Sequence, residues 1–271
     1  MTEYIGRFNP VLLAFFATTF TWFLTAVGAM FVFFNARPSR KVFDCSLGFA
    51  GGVMVAASFF SLLLPAIEIS GEISHVPEWV VIATGFVLGC LFLYVLDRVI
   101  PHLHLNMPFN EKEGPDTNIP IPYLLVLAIT LHNIPEGLAV GVAFGSTKFS
   151  AGIGVFLSAI SLTFAIGLQN IPEGMAVAIP LRSAGLSKAK AFFYGQLSGL
   201  VEIAGGLMGV LAVSFFYPLL PYALSFAAGA MIYVVVEEVI PETQRAGNTD
   251  IATLSFLLGF LIMMILDTAL L

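Results

Sequence analysis

Eight stretches of about 20 or more mostly apolar residues follow one another along the chain, each long enough to cross a lipid bilayer. Inside a bilayer only helices and closed barrels satisfy their own backbone hydrogen bonds. The chain is 58% hydrophobic and 10% charged, whereas a soluble domain carries about a quarter charged residues. The sequence therefore predicts an all-α membrane protein that forms one domain over residues 1–271. The predicted spans are 10–34, 43–66, 79–100, 121–145, 151–180, 188–216, 221–241 and 251–270.

Several other classes of protein do not fit this sequence. The first apolar run is about twice the length of a signal-peptide core and lacks the flanking cleavage pattern, so it is predicted to be a retained span. Cys45 and Cys90 are isolated, which supports neither a disulfide framework nor a CxxC zinc site. We expect the lipid bilayer as a partner and no nucleic acid.

The distribution of Lys and Arg predicts the orientation in the membrane. Short loops on the cytoplasmic side carry an excess of these residues. With the N-terminus outside, the outer segments hold only Arg7 and Lys148. Both termini are therefore predicted to lie outside, and residues 101–120 to form a cytoplasmic loop. The inner segments then hold Arg37, Arg40, Lys41, Arg98, Lys112, Arg182, Lys188, Lys190 and Arg245.

A ten-residue motif occurs twice, in the fourth and fifth spans. Residues 131–140 read LHNIPEGLAV and residues 168–177 read LQNIPEGMAV, so that eight of ten positions match at an offset of 37 residues. Residues three and four apart share a helix face. The motif therefore predicts one polar face per helix: His132, Asn133 and Glu136 in the fourth span, and Gln169, Asn170 and Glu173 in the fifth. Pro135 and Pro172 each leave a backbone carbonyl without its helical donor.

These polar faces predict a metal site. Glu136, Glu173 and the later Glu202 would together cost about 8 to 10 kcal/mol at the bilayer centre. A bound divalent cation offsets that cost. Imidazole, amide oxygen and carboxylate suit borderline first-row metals, so Zn²⁺ is the expected ion, with Fe²⁺, Mn²⁺ and Cd²⁺ as alternatives.

A second, weaker repeat links the second and seventh spans. Residues 49–54 read FAGGVM and residues 226–231 read FAAGAM. The predicted topology makes these two spans antiparallel, and likewise the fourth and fifth. Both pairs fit an inverted repeat of three, two and three spans, an arrangement that places substrate sites near the membrane midplane. Chance similarity between Gly- and Ala-rich helices is the alternative.

With these motifs in view, the chain resembles the ZIP family of divalent metal transporters, in particular its prokaryotic branch. The resemblance rests on HNIPEG at 132–137, QNIPEG at 169–174, and GQLSG at 195–199 with Glu202. It implies import into the cytoplasm and a block of metal-binding helices that slides against a scaffold. It also implies a protein of the cell membrane, and a homodimer is compatible with the small-residue helix faces.

The resemblance also implies how two ions would be shared. One would be held by His132, Glu136, Gln169 and Glu173, with Met54 nearby; the other by Asn133, Asn170 and Glu202, with Glu136 and Glu173 bridging. Some relatives carry Asp where this chain has Asn170. Three carboxylates leave a charge of −1 with one Zn²⁺ and +1 with two, which predicts one tight and one weaker site.

Acidic residues near the ends of three spans are candidates for the entrance and the exit. Glu68 and Asp267, at the outer ends of spans two and eight, could recruit cations. Glu237 and Glu238 could ease the departure of a cation at the inner end of span seven, although a solvated helix end is the simpler interpretation. The predicted outer loop carries Glu68, Glu72, His75 and Glu78. The predicted inner loop carries His102 and His104. These two histidines are either metal acceptors or plain solvated residues.

Two other functions compete with a carrier. An intramembrane metalloenzyme would need an HExxH-type helix, but Asn133 follows His132, and Pro135 interrupts the next turn. No enzymatic activity is therefore expected. A divalent-cation channel would use the same ligands, but its flux should not saturate at low millimolar substrate.

Overall fold

The computed structural model describes residues 9–34, 39–73, 76–102, 114–115, 117–149 and 153–270. Within these ranges the regular secondary structure is helical, and eight helices are long and apolar enough to cross a membrane, which confirms the predicted class. Most of the predicted loop 101–120, including His104, lies outside the described residues, as does His75. The helices are α1 (Pro10–Phe34), α2 (Arg40–Ile73), α3 (Glu78–Val99), α4 (Tyr123–Ser146), α5 (Ile153–Ser183), α6 (Lys188–Phe215), α7 (Tyr217–Gln244) and α8 (Thr249–Ala269).

The helix α2 is longer than the sequence predicted. Its span was expected to end at residue 66, next to Pro65, yet the helix continues to Ile73. Glu68 and Glu72, predicted in an outer loop, therefore lie on its last turns. The length of the apolar run did not locate this helix end, and the chain accommodates Pro65 within α2.

The helices α2 and α7 each contain a π-helical turn close to a proline. The first spans Ser58–Leu63 and the second Val235–Val239. Pro65 and Pro241 follow closely, and a proline deprives the preceding turn of a backbone donor. Widened turns of this kind are a known response to a disrupted hydrogen-bond ladder. Each π turn occupies the same place relative to its FAGGVM or FAAGAM segment, an equivalence that the sequence did not predict.

Four pairs of helices pack with their backbones close together: α1 with α5, α4 with α6, α2 with α8, and α3 with α7. Glycines make this approach possible. A Cβ on Gly28, Gly141, Gly52 or Gly229 would collide with the backbone of the partner helix in each of the four pairs respectively. Small residues at helix contacts are the usual means of close packing in membranes.

These pairs match the predicted repeat. If the first three spans correspond to the last three and α4 to α5, then the α1/α5 pair corresponds to α6/α4, and α2/α8 to α7/α3. The observed pairs map onto one another under this correspondence. The inverted repeat itself and the outer placement of both termini stay predictions.

A continuous apolar core runs through the bundle and draws residues from all eight helices. Its largest fully buried side chains include Leu62, Phe144, Met231 and Met263. Against this background the buried polar side chains stand out, and those of the repeated motif lie on α4 and α5.

Candidate metal centre

The polar faces of α4 and α5 point into the bundle. On α4, His132, Asn133 and Glu136 are 6%, 0% and 1% exposed. On α5, Gln169 and Asn170 are fully buried, and Glu173 is half-buried with its Oε2 enclosed. Both helices run unbroken through their prolines.

The two faces meet each other. Gln169 Nε2 donates a hydrogen bond of 2.6 Å to Glu136 Oε1. The carboxyl groups of Glu136 and Glu173 lie within hydrogen-bonding reach of one another, and both interact electrostatically with Glu202. The three acidic side chains, which the sequence places on three helices, therefore share one site.

Glu202 enters this site from a discontinuity in α6. The helix is interrupted at Leu200, and Glu202 lies in the first turn of the second half. Glu202 is fully buried and accepts hydrogen bonds from Asn133 Nδ2 at 3.3 Å and from Asn170 Nδ2 at 2.8 and 2.9 Å.

The helix α1 supplies a fourth wall that the sequence reasoning missed. Asn170 Nδ2 also donates to the carbonyl oxygen of Thr21 at 3.1 Å, and Thr25 Oγ1 lies 3.5 Å from Glu202 Oε1. Trp22 Nε1 donates to the carbonyl oxygen of Gln196, which precedes the interruption of α6. The available signal was the series Thr18, Thr21 and Thr25, spaced to share one face of an apolar helix.

The glycine that follows the glutamate in each motif lets the helices around the site pack closely against one another. A Cβ on Gly137 would collide with the backbone of Glu202, and a Cβ on Gly174 with the carbonyl oxygen of Thr25. The motif on α4 is thereby held against α6, and the motif on α5 against α1. In each PEG sequence the glutamate is thus followed directly by the glycine against which a neighbouring helix packs.

Five buried oxygen atoms in this site have no hydrogen-bond partner: Asn133 Oδ1, Glu136 Oε2, Gln169 Oε1, Asn170 Oδ1 and Glu173 Oε2. A buried acceptor left unsatisfied is costly. Among the described residues, no group of three or more His, Cys, Asp or Glu side chains is arranged to hold a metal ion. An ion here would therefore need amide oxygens to complete its ligands, and amide and carboxylate oxygens suit divalent cations.

Met54 is buried, at 1% exposure, within the apolar core that includes Ala139 and Val140 of α4. This environment is typical of a methionine that fills a packing gap. Its role as a ligand stays a prediction.

Glu68 and Asp267 lie on one cavity, as the entrance hypothesis requires. The cavity has a volume of about 450 Å³, and Glu72 lines it as well. Asp267 is 1% exposed and accepts a hydrogen bond of 3.0 Å from Ser61 Oγ of α2. The π turn that contains Ser61 therefore contributes to the wall of this cavity.

The acidic residues at the end of α7 are less solvated than the simpler interpretation supposed. Glu238 is only 3% exposed, and Glu242 only 2%. Glu237 accepts a hydrogen bond of 3.0 Å from the hydroxyl of Tyr233. Burial of this kind is not expected of a fully solvated helix end.

His102 is likewise not a solvated loop residue. Its side chain is fully buried, Nδ1 lies 2.7 Å from the carbonyl oxygen of Ile100, and Nε2 lies 3.6 Å from Asp97 Oδ1. Of the two alternatives for His102, the plain solvated residue does not fit, because its ring contacts residues at the end of α3.

The eight spans enclose a polar, acidic site, which is typical of membrane proteins that handle ions. Comparison with known proteins gives the family. The model of the family described as "ZIP Zinc transporter" matches residues 8–120 and 111–267. The chain belongs to this family.

Similar proteins are zinc transporters of animals and bacteria. The chain is 40% identical to the zinc transporter ZIP11 of Xenopus tropicalis, over 98% of this chain and 99% of that protein. It is 41% identical to the zinc transporter GufA of Myxococcus xanthus, over 91% and 94% respectively. It is 33% identical to the zinc transporter ZupT of Escherichia fergusonii, over 88% and 90%. These relatives are transporters rather than enzymes and support a multi-pass membrane protein that carries metal ions.

Proposed function

We propose that this protein imports divalent metal ions, preferentially Zn²⁺, from outside the cell into the cytoplasm by alternating access through the site between α4, α5 and α6. The observation that carries this proposal is the set of five unpartnered buried oxygens, two from the carboxylates of Glu136 and Glu173 and three from amide side chains. Such a set is costly when it is empty and is satisfied by a divalent cation. Zn²⁺ is favoured because the similar proteins are named zinc transporters.

In this proposal the ion binds where the two motifs face each other. His132, Glu136, Gln169 and Glu173 form its ligands, and Met54 approaches from α2. One Zn²⁺ balances the charges of Glu136 and Glu173. Asn133, Asn170 and Glu202 lie on the α6 side and would contribute to any second ion.

The path to and from the site uses the acidic residues near the helix ends. Glu68 and Asp267 attract cations into the outer cavity, and Glu237 and Glu238 lower the barrier to release at the inner end of α7. With the N-terminus outside, the excess of Lys and Arg then lies on the cytoplasmic side. We place the protein in the cell membrane.

Alternating access requires that the site change sides while the ion stays bound. The helices α1, α4, α5 and α6 form one closely packed group around the site, and α2, α3, α7 and α8 form another, tied by the pairs described above. We propose that the first group moves against the second. The contacts of α5 with α2 and of α4 with α7 would then be the surfaces that slide.

The test is uptake of radioactive Zn²⁺ into liposomes that contain the purified protein. The wild type should show saturable uptake. Glu136→Gln and Glu173→Gln should each reduce it at least tenfold, because each removes a charged ligand. Glu78→Gln, a matched loss of one carboxylate at an exposed position at the start of α3, should leave it unchanged.

Competition with Fe²⁺, Mn²⁺ and Cd²⁺ in the same assay gives the ion preference. Uptake that persists in both motif variants would contradict the site. Uptake that rises linearly with substrate and follows the applied voltage would favour a channel over a carrier.

A further inference from the structure

The three carboxylates of the site are not equivalent. Glu136 and Glu173 each keep one buried oxygen without a hydrogen-bond partner. Glu202 has no such oxygen, since Asn170 Nδ2 contacts both of its oxygens, and Asn133 and Thr25 contact Oε1. Glu202 therefore already has the partners that a buried carboxylate needs, whereas the other two carboxylates do not.

The orientation of the Asn170 amide is fixed by what surrounds it. Its nitrogen is close to both Glu202 oxygens and lies 3.1 Å from the carbonyl oxygen of Thr21. All of these neighbours are acceptors, and an amide nitrogen carries two protons to donate. The flipped amide would place Oδ1 against a carboxylate and a carbonyl, with no proton between them. The nitrogen must therefore face Glu202.

We propose that the amide nitrogen of Asn170 takes the place of a second cation beside Glu202, so that this site holds one divalent ion, and that Glu202 is a positioning residue. This inference rests on the proposed function of the site. One divalent ion balances Glu136 and Glu173. The charge of Glu202 is stabilised instead by amide donors.

The positioning role follows from the same contacts. Glu202 holds the nitrogens of Asn133 and Asn170, which leaves Oδ1 of each residue without a partner. These two oxygens are the atoms that the asparagines can offer to an ion. Glu202 thus acts through the asparagines instead of touching the ion.

In the experiment, the purified full-length protein is dialysed to equilibrium against Cd²⁺. The number of Cd²⁺ ions bound per chain is then measured by elemental mass spectrometry. The wild type should bind one Cd²⁺. Asn170→Asp should bind two, because an aspartate would face Glu202 and the Thr21 carbonyl, and like charges in contact favour an added cation. The double variant Asn170→Asp with Glu202→Gln should return to one.

Two single variants serve as controls. Gln169→Glu adds the same charge one residue away, next to Glu136. The added carboxylate there becomes a ligand of the ion that the proposal already places at Glu136, so this variant should still bind one Cd²⁺. Glu202→Gln should also bind one Cd²⁺, with an affinity lowered severalfold because the asparagines lose their anchor. This variant tests the inference even if Asn170→Asp does not fold.

The outcomes separate this inference from the proposed function. Two ions in the wild type, one in Asn170→Asp, two in Gln169→Glu, or none in a monodisperse Glu202→Gln protein would each overturn the inference while the proposed function stands. Binding in the wild type that survives Glu136→Gln and Glu173→Gln would overturn the site, and the inference with it.

Discussion

At the scale of single residues, the site is organised by amides that donate to carboxylates. Gln169 donates to Glu136, and Asn133 and Asn170 donate to Glu202. Each amide nitrogen is engaged while the oxygen of the same group has no partner. A neutral amide can therefore stabilise an acidic neighbour with one atom and offer a ligand with the other, which an ionised carboxylate in the same position could not do.

The motif glycines give a prediction at this scale. Gly137→Ala and Gly174→Ala should each destabilise the protein by about 1 to 3 kcal/mol, because the added methyl group collides with backbone atoms of α6 or α1. The measurement is the thermal unfolding midpoint in detergent, together with liposome uptake, which should fall as well.

Gly167→Ala provides the control on α5. A Cβ there would meet the side chains of Leu24 and Phe20 rather than backbone, and those side chains can shift. If this variant lost as much stability as Gly174→Ala, the close backbone approach would not be the reason for the glycine in the motif.

At the scale of elements, three irregular features position the functional groups: the π turn of α2, the π turn of α7 and the interruption of α6. The first carries Ser61, which holds Asp267. The second includes Glu237 and Glu238, and the third presents Glu202. Irregular helical geometry in a membrane protein is tolerated where it is buried in protein or lines a cavity, and all three features adjoin polar groups.

An ion-pair network at the predicted inner end ties α2 to α7 and to the start of α8. Arg40 Nε lies 2.8 Å from Asp44 Oδ1, and the Arg40 guanidinium also pairs with Glu242 at 2.6 Å. Asn248, just before α8, donates to Asp44 Oδ2 at 2.9 Å. Asp44 and Glu242 are buried, whereas the Arg40 side chain is 42% exposed.

Replacement of Arg40 in this network should lower the free energy of unfolding. Arg40→Gln removes the ion-pair partner that Asp44 and Glu242 share, and the expected loss is roughly 1 to 3 kcal/mol, between the values for exposed and for buried pairs. The thermal unfolding midpoint should fall accordingly. Lys41→Gln, an equal loss of charge at the next, exposed position, should change it little; equal effects of the two variants would argue against the network.

At the scale of the whole molecule, the sequence predicted what depends on composition and period. Eight apolar runs defined eight helices, and the spacing of His132, Asn133 and Glu136 placed them on one face, as observed. The sequence could not predict contacts between segments that are distant along the chain. The position of Thr21 beside Asn170, for example, depends on how α1 packs on α5. The π turns were missed for another reason, since a proline in an apolar run is compatible with an ending, a kink or a widened turn.

The predicted topology can be tested on intact cells. In a chain with Cys45 and Cys90 replaced by Ser, Lys148→Cys, after α4, should react with a membrane-impermeant maleimide added outside. Lys188→Cys, at the start of α6, should react only after the cells are permeabilised, because the predicted orientation places it inside. The reverse pattern would invert the topology and with it the proposed direction of transport.

The cavity lined by Glu68 and Asp267 has a consequence for how an ion loses its water. A volume of about 450 Å³ has room for on the order of ten water molecules, since each takes about 30 Å³ in the liquid. In the proposed path, a cation can therefore keep water around it while it lies in this cavity. Dehydration, the most expensive step of entry, is then deferred until carboxylate and amide oxygens are at hand to replace the departing waters.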